Sequence, residues 1–200
     1  MKSCRMNNRG FTLIEFVLVI ILATIVLGVT VSLLSRGWTG ITITAMAKKL
    51  RSDIQYAQEL AMTERATTSF SRPMRTRVIF DTTNEKYDIK IVNDSDGDEI
   101  WGEAAETEFA RDPSTGGDFT VQLNTGDYKS IVIGSASFSA TACTASAVLE
   151  FDSMGNPYCV SGGVGGASTK MDSAGTVTIS KSGDTATITV TQNSGRVTTQ

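Results

Sequence analysis

The chain has 200 residues, of which 40% are hydrophobic and 20% charged, which is ordinary for one globular domain with an added apolar segment. Its formal net charge of -3 hides an uneven distribution, since residues 1–80 contain 11 basic and 4 acidic residues whereas residues 81–200 contain 7 and 17. An acidic second part argues against general nucleic-acid binding, which needs clustered Lys and Arg. The chain contains no histidine, so it lacks the commonest general base and metal ligand, and we expect no enzymatic activity.

The first predicted element is an apolar helix. Residues 11–31 read FTLIEFVLVIILATIVLGVTV, with one charge among 21 residues, and a helix rising about 1.5 Å per residue then matches a hydrocarbon core of about 30 Å. Lys2, Arg5 and Arg9 precede this segment, and the next basic residue is Arg36. This bias predicts a single-pass membrane protein with a cytoplasmic N-terminus. The apolar run is too long for a cleaved secretory signal, and no small-residue cleavage site follows it.

The single charge in this segment belongs to Glu15. A carboxylate at the centre of a membrane helix costs about 2.5–3.5 kcal/mol and usually has a partner. One reading is a glutamate near the end of the helix that reaches the lipid headgroups. The other is an ion pair, because cleavage between Gly10 and Phe11 would create an α-amine one helical turn from Glu15. That amine and carboxylate could pair within one chain or between neighbouring subunits.

The stretch RGFTLIE, residues 9–15, resembles the site that the leader peptidase of type IV prepilins recognises. The resemblance implies a leader over residues 1–10, cleavage after Gly10, N-methylation of Phe11, and Glu15 as the residue that sets the register between subunits. It also implies the partners, namely a prepilin peptidase, other pilin or pseudopilin subunits, an inner-membrane assembly platform and membrane lipid. Many major pilins have a proline in the apolar helix, whereas the first proline here is Pro73.

A second helical pattern follows Arg36. Apolar residues recur there at spacings of three and four, which predicts an amphipathic helix with one buried stripe. We therefore expect a transmembrane and polymerisation helix over residues 11–35, an amphipathic continuation over residues 36–66, and a β-rich head over residues 67–200. The stripe consists of Ile43, Ala47, Leu50, Ile54, Ala57 and Ala61.

Beyond Pro73 the pattern changes to short β-type runs separated by Gly, Asn, Asp and Ser. A Thr/Val/Ile alternation on both sides of residues 181–184, KSGD, predicts a hairpin. The fold class is therefore predicted to be α+β, with a long N-terminal helix packed on an antiparallel sheet, as in pilins. The predicted strands are residues 77–80, 87–92, 119–123, 130–133, 148–151, 176–180 and 187–191.

Three cysteines are present, at positions 4, 143 and 159. Cys4 precedes the apolar segment, so Cys143 and Cys159 are the pair available to an exported region. Outside the cytoplasm a disulfide between them is the natural expectation, and it would stabilise the fold by roughly 3 kcal/mol. Two buried free thiols are the alternative.

The segment NDSDGDE, residues 93–99, places Asp94, Asp96 and Asp98 at alternate positions around a glycine. Oxygen-rich loops of this kind suit a hard cation, and calcium is the possible cofactor. The pattern departs from the EF-hand loop, because counting Asp94 as position 1 places Ala105 where the bidentate glutamate belongs. A solvated acidic turn is the alternative reading.

Two segments of the C-terminal half, residues 151–157 (FDSMGNP) and 195–197 (GRV), are similar to strand-end signatures of minor pseudopilins of the H/FimT type. This narrower resemblance implies a minor pseudopilin of a type II secretion pseudopilus, in the inner membrane with a periplasmic head, that helps export proteins. The alternative is a minor pilin of a type IV pilus acting in initiation, adhesion or DNA uptake. DNA binding is not expected, because Lys181 and Arg196 are the only basic residues among the last 30 residues.

Overall fold

A computed structural model of the chain describes residues 13–37, 41–63, 74–97, 100–103, 106–162 and 165–200. The chain divides into two compact units, residues 1–40 and residues 41–200. In the first, helix α1 runs over Leu13–Gly37. The second unit begins with helix α2, Ile43–Thr63, and continues into strands. The predicted leader over residues 1–10 lies outside the described residues.

The described part of the second unit contains twelve strands in two antiparallel sheets. One sheet has the order β3-β2-β1-β7-β8-β9, with β4 also paired to β2, and the other has the order β12-β11-β10-β5-β6. The predicted α+β fold class is therefore confirmed. The strands are β1 (Arg75–Asp81), β2 (Lys86–Val92), β3 (Thr107–Phe109), β4 (Thr120–Gln122), β5 (Ile131–Ala140), β6 (Cys143–Ser146), β7 (Val148–Phe151), β8 (Pro157–Val160), β9 (Ser168–Lys170), β10 (Gly175–Lys181), β11 (Asp184–Val190) and β12 (Val197–Thr199).

Helix α2 forms where the amphipathic pattern predicts a helix. Thr42 caps its N-terminus, because the Thr42 hydroxyl accepts a hydrogen bond from the Ala45 amide at 3.2 Å. The buried face packs against strands of both sheets. Residues 38–40 and 64–66 of the predicted range 36–66 lie outside the described residues, so the bounds of that range stay a prediction. Its buried residues are Met46, Ala47, Leu50, Asp53, Ile54, Ala57 and Ala61.

The hairpin predicted near the C-terminus is formed by β10 and β11, with Lys181 paired to Asp184. Both central turn residues are left-handed, Ser182 at φ 53° and Gly183 at φ 96°, as a two-residue hairpin turn requires. The strand predicted over residues 130–133 is longer in the structure, extending to Ala140 as β5. Its partners are β10, paired between Ile131 and Ser137, and β6, paired between Phe138 and Ala140, with one register shift in each ladder.

The core of the second unit lies between the sheets and beneath α2. Phe80 of β1 stacks on Phe138 of β5 with ring centroids 5.9 Å apart, so the rings connect the two sheets. Tyr87 of β2 is fully buried and donates a 2.5 Å hydrogen bond to Asp53 of α2. Burial of each large side chain contributes about 1.5–3 kcal/mol, and these contacts fix α2 and both sheets as one body.

Candidate functional site

Helix α1 presents apolar side chains on all of its faces. From Leu13 to Leu27 every side chain is exposed, with values for the large apolar residues between 45% at Val17 and 83% at Leu13. Such a helix needs lipid or another protein to cover it. In the part of the chain that the structure describes, no helix combines the length and the apolarity needed to cross a membrane. The transmembrane helix predicted over residues 11–35 is not confirmed.

Glu15 lies in the first turn of α1, where its side chain is exposed. Gly10 and Phe11, the predicted cleavage junction, lie outside the described residues. The pairing of the Phe11 amine with Glu15, and the N-methylation of Phe11, therefore stay predictions.

The turn between β7 and β8 is organised by Asp152. Its Oδ1 accepts hydrogen bonds from the amides of Met154 at 2.9 Å and Asn156 at 2.8 Å. Burial alone would raise the pKa of this carboxyl, but the bonds from Asn156 and Met154 outweigh it and hold the pKa below its usual value. The turn is therefore stabilised by a charged carboxylate.

Helix α2 brings the two C-terminal signature segments together through Gln58. The Gln58 Nε2 donates to the carbonyl of Gly155 at 2.8 Å and to that of Ser194 at 3.0 Å. Gly195 has φ +62°, and a Cβ there would lie 2.5 Å from the Gln58 Nε2 and 2.8 Å from the Gly155 oxygen. Residues 151–157 and 195–197, separate in sequence, thus form one surface beneath α2.

The predicted disulfide is confirmed. Cys143 of β6 and Cys159 of β8 are bonded, with Cα atoms 6.1 Å apart, and both residues are buried. Because β6 and β8 belong to different sheets, the bond joins the sheets covalently. The alternative of two free thiols is wrong.

The predicted metal-binding loop follows β2. Asp94 and Asp96 come together there, but their third partner is Glu106, which directly precedes β3, and one carboxylate oxygen from each of the three lies within 4.8 Å of the others. Asp98 lies outside the described residues. Glu106 follows directly after position 105, where the EF-hand comparison expects a glutamate, so a tolerance of one residue in that comparison would have found it.

Backbone hydrogen bonds link the two ends of this loop. The Asn93 amide donates to the Glu106 carbonyl at 3.0 Å, and the Gly102 amide donates to the Asn93 carbonyl at 2.9 Å. The Glu106 Oε1 accepts bonds from both the amide and the hydroxyl of Ser95. These bonds, the hydroxyl first, hold the pKa of Glu106 below its usual value. The loop thus holds Glu106 as a buried carboxylate.

A buried ion pair lies beside the loop. Arg77 of β1 and Glu150 of β7 are fully buried, with Nε and Oε2 2.5 Å apart, and Arg75 reaches the other Glu150 oxygen at 2.8 Å. The Arg75 guanidinium also lies over the ring of Trp101 at 4.1 Å and that of Tyr158 at 4.8 Å. Arg75, Trp101 and Tyr158 line a cavity of about 440 Å³ that also reaches Asp94.

Residues 5–31 match the family described as the prokaryotic N-terminal methylation motif. No curated protein and no solved structure matches the chain significantly. An apolar N-terminal helix carrying this motif, followed by a separate α+β unit with its own core, defines the class of pilin-like subunits.

The N-terminal segment of the chain is thus type IV prepilin-like. The motif indicates a membrane-anchored subunit that a prepilin peptidase processes and that assembles with other pilin subunits.

Proposed function

We propose that the chain is a minor pseudopilin of the H/FimT type, which enters a type II secretion pseudopilus through its N-terminal helix and helps export proteins. The observation that carries the proposal is the exposed, largely apolar surface of α1 over residues 13–27, on a chain whose residues 5–31 match the methylation motif. Lateral packing against the helices of neighbouring subunits would cover that surface. The role is structural, and no catalytic step is assigned to the chain.

Glu15 supplies the specificity of this assembly. After cleavage behind Gly10, the amine of Phe11 in one subunit pairs with Glu15 of a neighbour inside the apolar filament. A buried charge without its partner is strongly unfavourable, so the pair sets the axial register. Methylation of Phe11 keeps the amine charged, and the pairing therefore survives it.

The orientation proposed is an inner-membrane protein with a cytoplasmic N-terminus and a periplasmic head. Support comes from Lys2, Arg5 and Arg9 before the apolar segment, and from the Cys143–Cys159 disulfide, which is characteristic of an oxidising compartment. Intact-mass analysis of the membrane-extracted protein tests the processing step. It should show loss of residues 1–10 and one methyl group on Phe11, and a mature chain that starts at Met1 would contradict the proposal.

Secretion is favoured over DNA uptake because few basic residues near the C-terminus are available to bind DNA. The Lys181 Nζ is partly buried and donates to the Ile41 carbonyl at 2.7 Å, so it is engaged within the head. Arg196 is exposed, but one arginine cannot neutralise a run of phosphates. Deletion of the gene from its host should therefore abolish protein secretion and leave piliation and DNA uptake intact. The opposite pattern would assign the chain to a type IV pilus, as a subunit for initiation, adhesion or DNA uptake.

The substitution Glu15→Ala tests the assembly mechanism. The cleaved variant should insert normally, since the change removes a carboxylate from lipid, but it should fail to co-purify with partner subunits. Thr24→Ala is the matched control, because Thr24 lies on the same helix and its hydroxyl donates to the Ile21 carbonyl, one turn away, at 2.8 Å. Normal incorporation of cleaved Glu15→Ala, or equal loss in both variants, would refute the register role.

A further inference from the structure

We propose that Asp94, Asp96 and Glu106 form a calcium site in the connection between β2 and β3. One oxygen from each carboxylate lies within 4.8 Å of the other two. Calcium binds oxygens at about 2.3–2.6 Å, so two oxygens on opposite sides of one ion are about 4.8 Å apart. All three carboxylates therefore fit around a single ion.

The state of Glu106 shows that the cluster needs something more than its protein hydrogen bonds. Glu106 is 4% exposed, and its Oε2 is buried without a hydrogen-bond partner. The Oε1 is fully engaged by Ser95. Within the described residues no Lys or Arg nitrogen lies at ion-pair distance from Glu106. A buried carboxylate oxygen without a partner is costly, and a bound cation removes that cost.

The atoms around the three carboxylates also suit a bound cation. The Oδ1 of Asn93, the residue before Asp94, is also buried without a hydrogen-bond partner, so the segment that carries the carboxylates has a second unsatisfied oxygen. Both bonds from Ser95 go to the Glu106 Oε1 and neither goes to Oε2. Every candidate ligand atom named here is an oxygen, which calcium prefers. None is a nitrogen or sulfur atom of the kind that zinc or copper selects.

The loop is shaped to hold its ligands without being an EF-hand. The Gly97 amide donates to the Asp94 Oδ1 at 2.7 Å, and Gly97 adopts φ +83°, which curls the chain around Asp94. A hydrogen bond from the Asn93 amide to the Glu106 carbonyl places Glu106 beside this part of the chain. A calcium ion at this point ties the end of β2 to the start of β3.

Calcium binding also bears on the surface next to the loop. Asp94 and Trp101 both line the cavity of about 440 Å³, and Trp101 covers the Arg75 guanidinium. An ion held by Asp94 and Glu106 constrains the connection that carries Trp101 and thereby the position of Trp101 on this surface. The fluorescence of Trp101 should report calcium binding, and Trp101→Phe should remove the signal without removing the binding.

The test uses the full chain in detergent, with calcium-free buffer, calcium alone added as chloride up to about 10 mM, and EDTA for reversal. Extracellular calcium modules bind at about 10⁻⁴–10⁻³ M, so titration calorimetry over this range should detect one site. Calcium should raise the midpoint of thermal unfolding, because it binds the folded state. Absence of both heat and midpoint shift would overturn the proposal.

Glu106→Gln separates a ligand from a structural residue. The amide keeps the shape and can still accept the Ser95 bonds, so the variant should fold, and in calcium-free buffer it should be at least as stable as the parent because three clustered carboxylates become two. With calcium it should show no midpoint rise, and its affinity should fall by an order of magnitude or more. Asp96→Asn, at an exposed residue, should weaken binding in the same direction.

Glu103→Gln is the matched control, since it removes the same charge from an exposed position of the same loop outside the cluster. It should bind calcium like the parent chain. Equal calcium responses in Glu106→Gln and the parent would overturn the proposal. So would a Glu106→Gln variant that is destabilised equally with and without calcium. These outcomes are independent of filament assembly, because the measurements need only the isolated protein.

Discussion

The buried ion pair between β1 and β7 should be a main determinant of head stability. Arg77 and Glu150 are directly opposite each other in the strand pair, and both side chains have no solvent exposure. The substitution Glu150→Gln keeps the shape and removes the charge. It leaves the buried charge of Arg77 without a counter-charge: only neutral acceptors remain, the new amide oxygen and the Ser168 hydroxyl at 3.3 Å, and its Nη1 has no hydrogen-bond partner.

The expected loss of unfolding free energy depends on whether each arginine side chain can reach solvent. The Arg75 side chain is 20% exposed and packs on aromatic rings, so losing Glu150 affects it modestly. Arg77 cannot reach solvent, and breaking a buried pair of this kind costs about 3–5 kcal/mol. For a domain of this size 1 kcal/mol corresponds to about 2–4 °C. The unfolding midpoint should therefore fall by roughly 6–20 °C.

Thermal and urea unfolding, followed by the circular dichroism of the sheets, measures this change. Arg75→Gln is the matched control and should cost only about 1–2 kcal/mol. The double variant Arg77→Met/Glu150→Leu should recover most of the loss, because hydrophobic replacement of a buried pair is often neutral or stabilising. The reasoning fails if Glu150→Gln costs no more than Arg75→Gln, or if the double variant is as unstable as Glu150→Gln.

Two further predictions concern the core. Replacing Cys143 and Cys159 by serine should lower the free energy of unfolding by about 3 kcal/mol, measured without reductant; a double variant as stable as the parent would show that the bond contributes nothing. Burial, then the charge of Asp53, raises the pKa of Tyr87 well above its usual value of 10.0, so the folded state holds Tyr87 neutral while the unfolded chain ionises. The parent should therefore lose stability as the pH rises above about 10. The variant Tyr87→Phe should be about 1–2 kcal/mol less stable than the parent near pH 8, but it should lose less stability as the pH rises further. Parallel curves of unfolding free energy against pH for the two proteins would refute this.

Local patterns in the sequence were sufficient for several elements of the fold. The apolar stripe of α2 was predictable because a helix places residues three and four apart on one face. The β10–β11 hairpin was predictable because Ser182 and Gly183 suit a turn that needs two left-handed residues. The Cys143–Cys159 bond followed from the number of cysteines beyond the apolar segment. Each of these signals lies in neighbouring residues or in a simple count.

Short strands escaped prediction for the opposite reason. Strands β3, β9 and β12 have three residues each, too few for a periodic pattern. They exist because a longer neighbour supplies the hydrogen bonds, as β11 does for β12. The same holds for the contact of Gln58 with the two glycine turns, which joins residues distant in sequence.

The methylation motif and the apolar helix could be identified from sequence alone, because a peptidase site and a hydrophobic run are properties of consecutive residues. The cation site could be identified only in part. Asp94 and Asp96 are close in sequence, whereas Glu106 joins them because β2 and β3 pair and close the loop. Likewise Arg77 meets Glu150 because β1 lies beside β7 in the sheet. Strand order is set by the packing of the whole head, so only the tertiary structure decides which distant charges become partners.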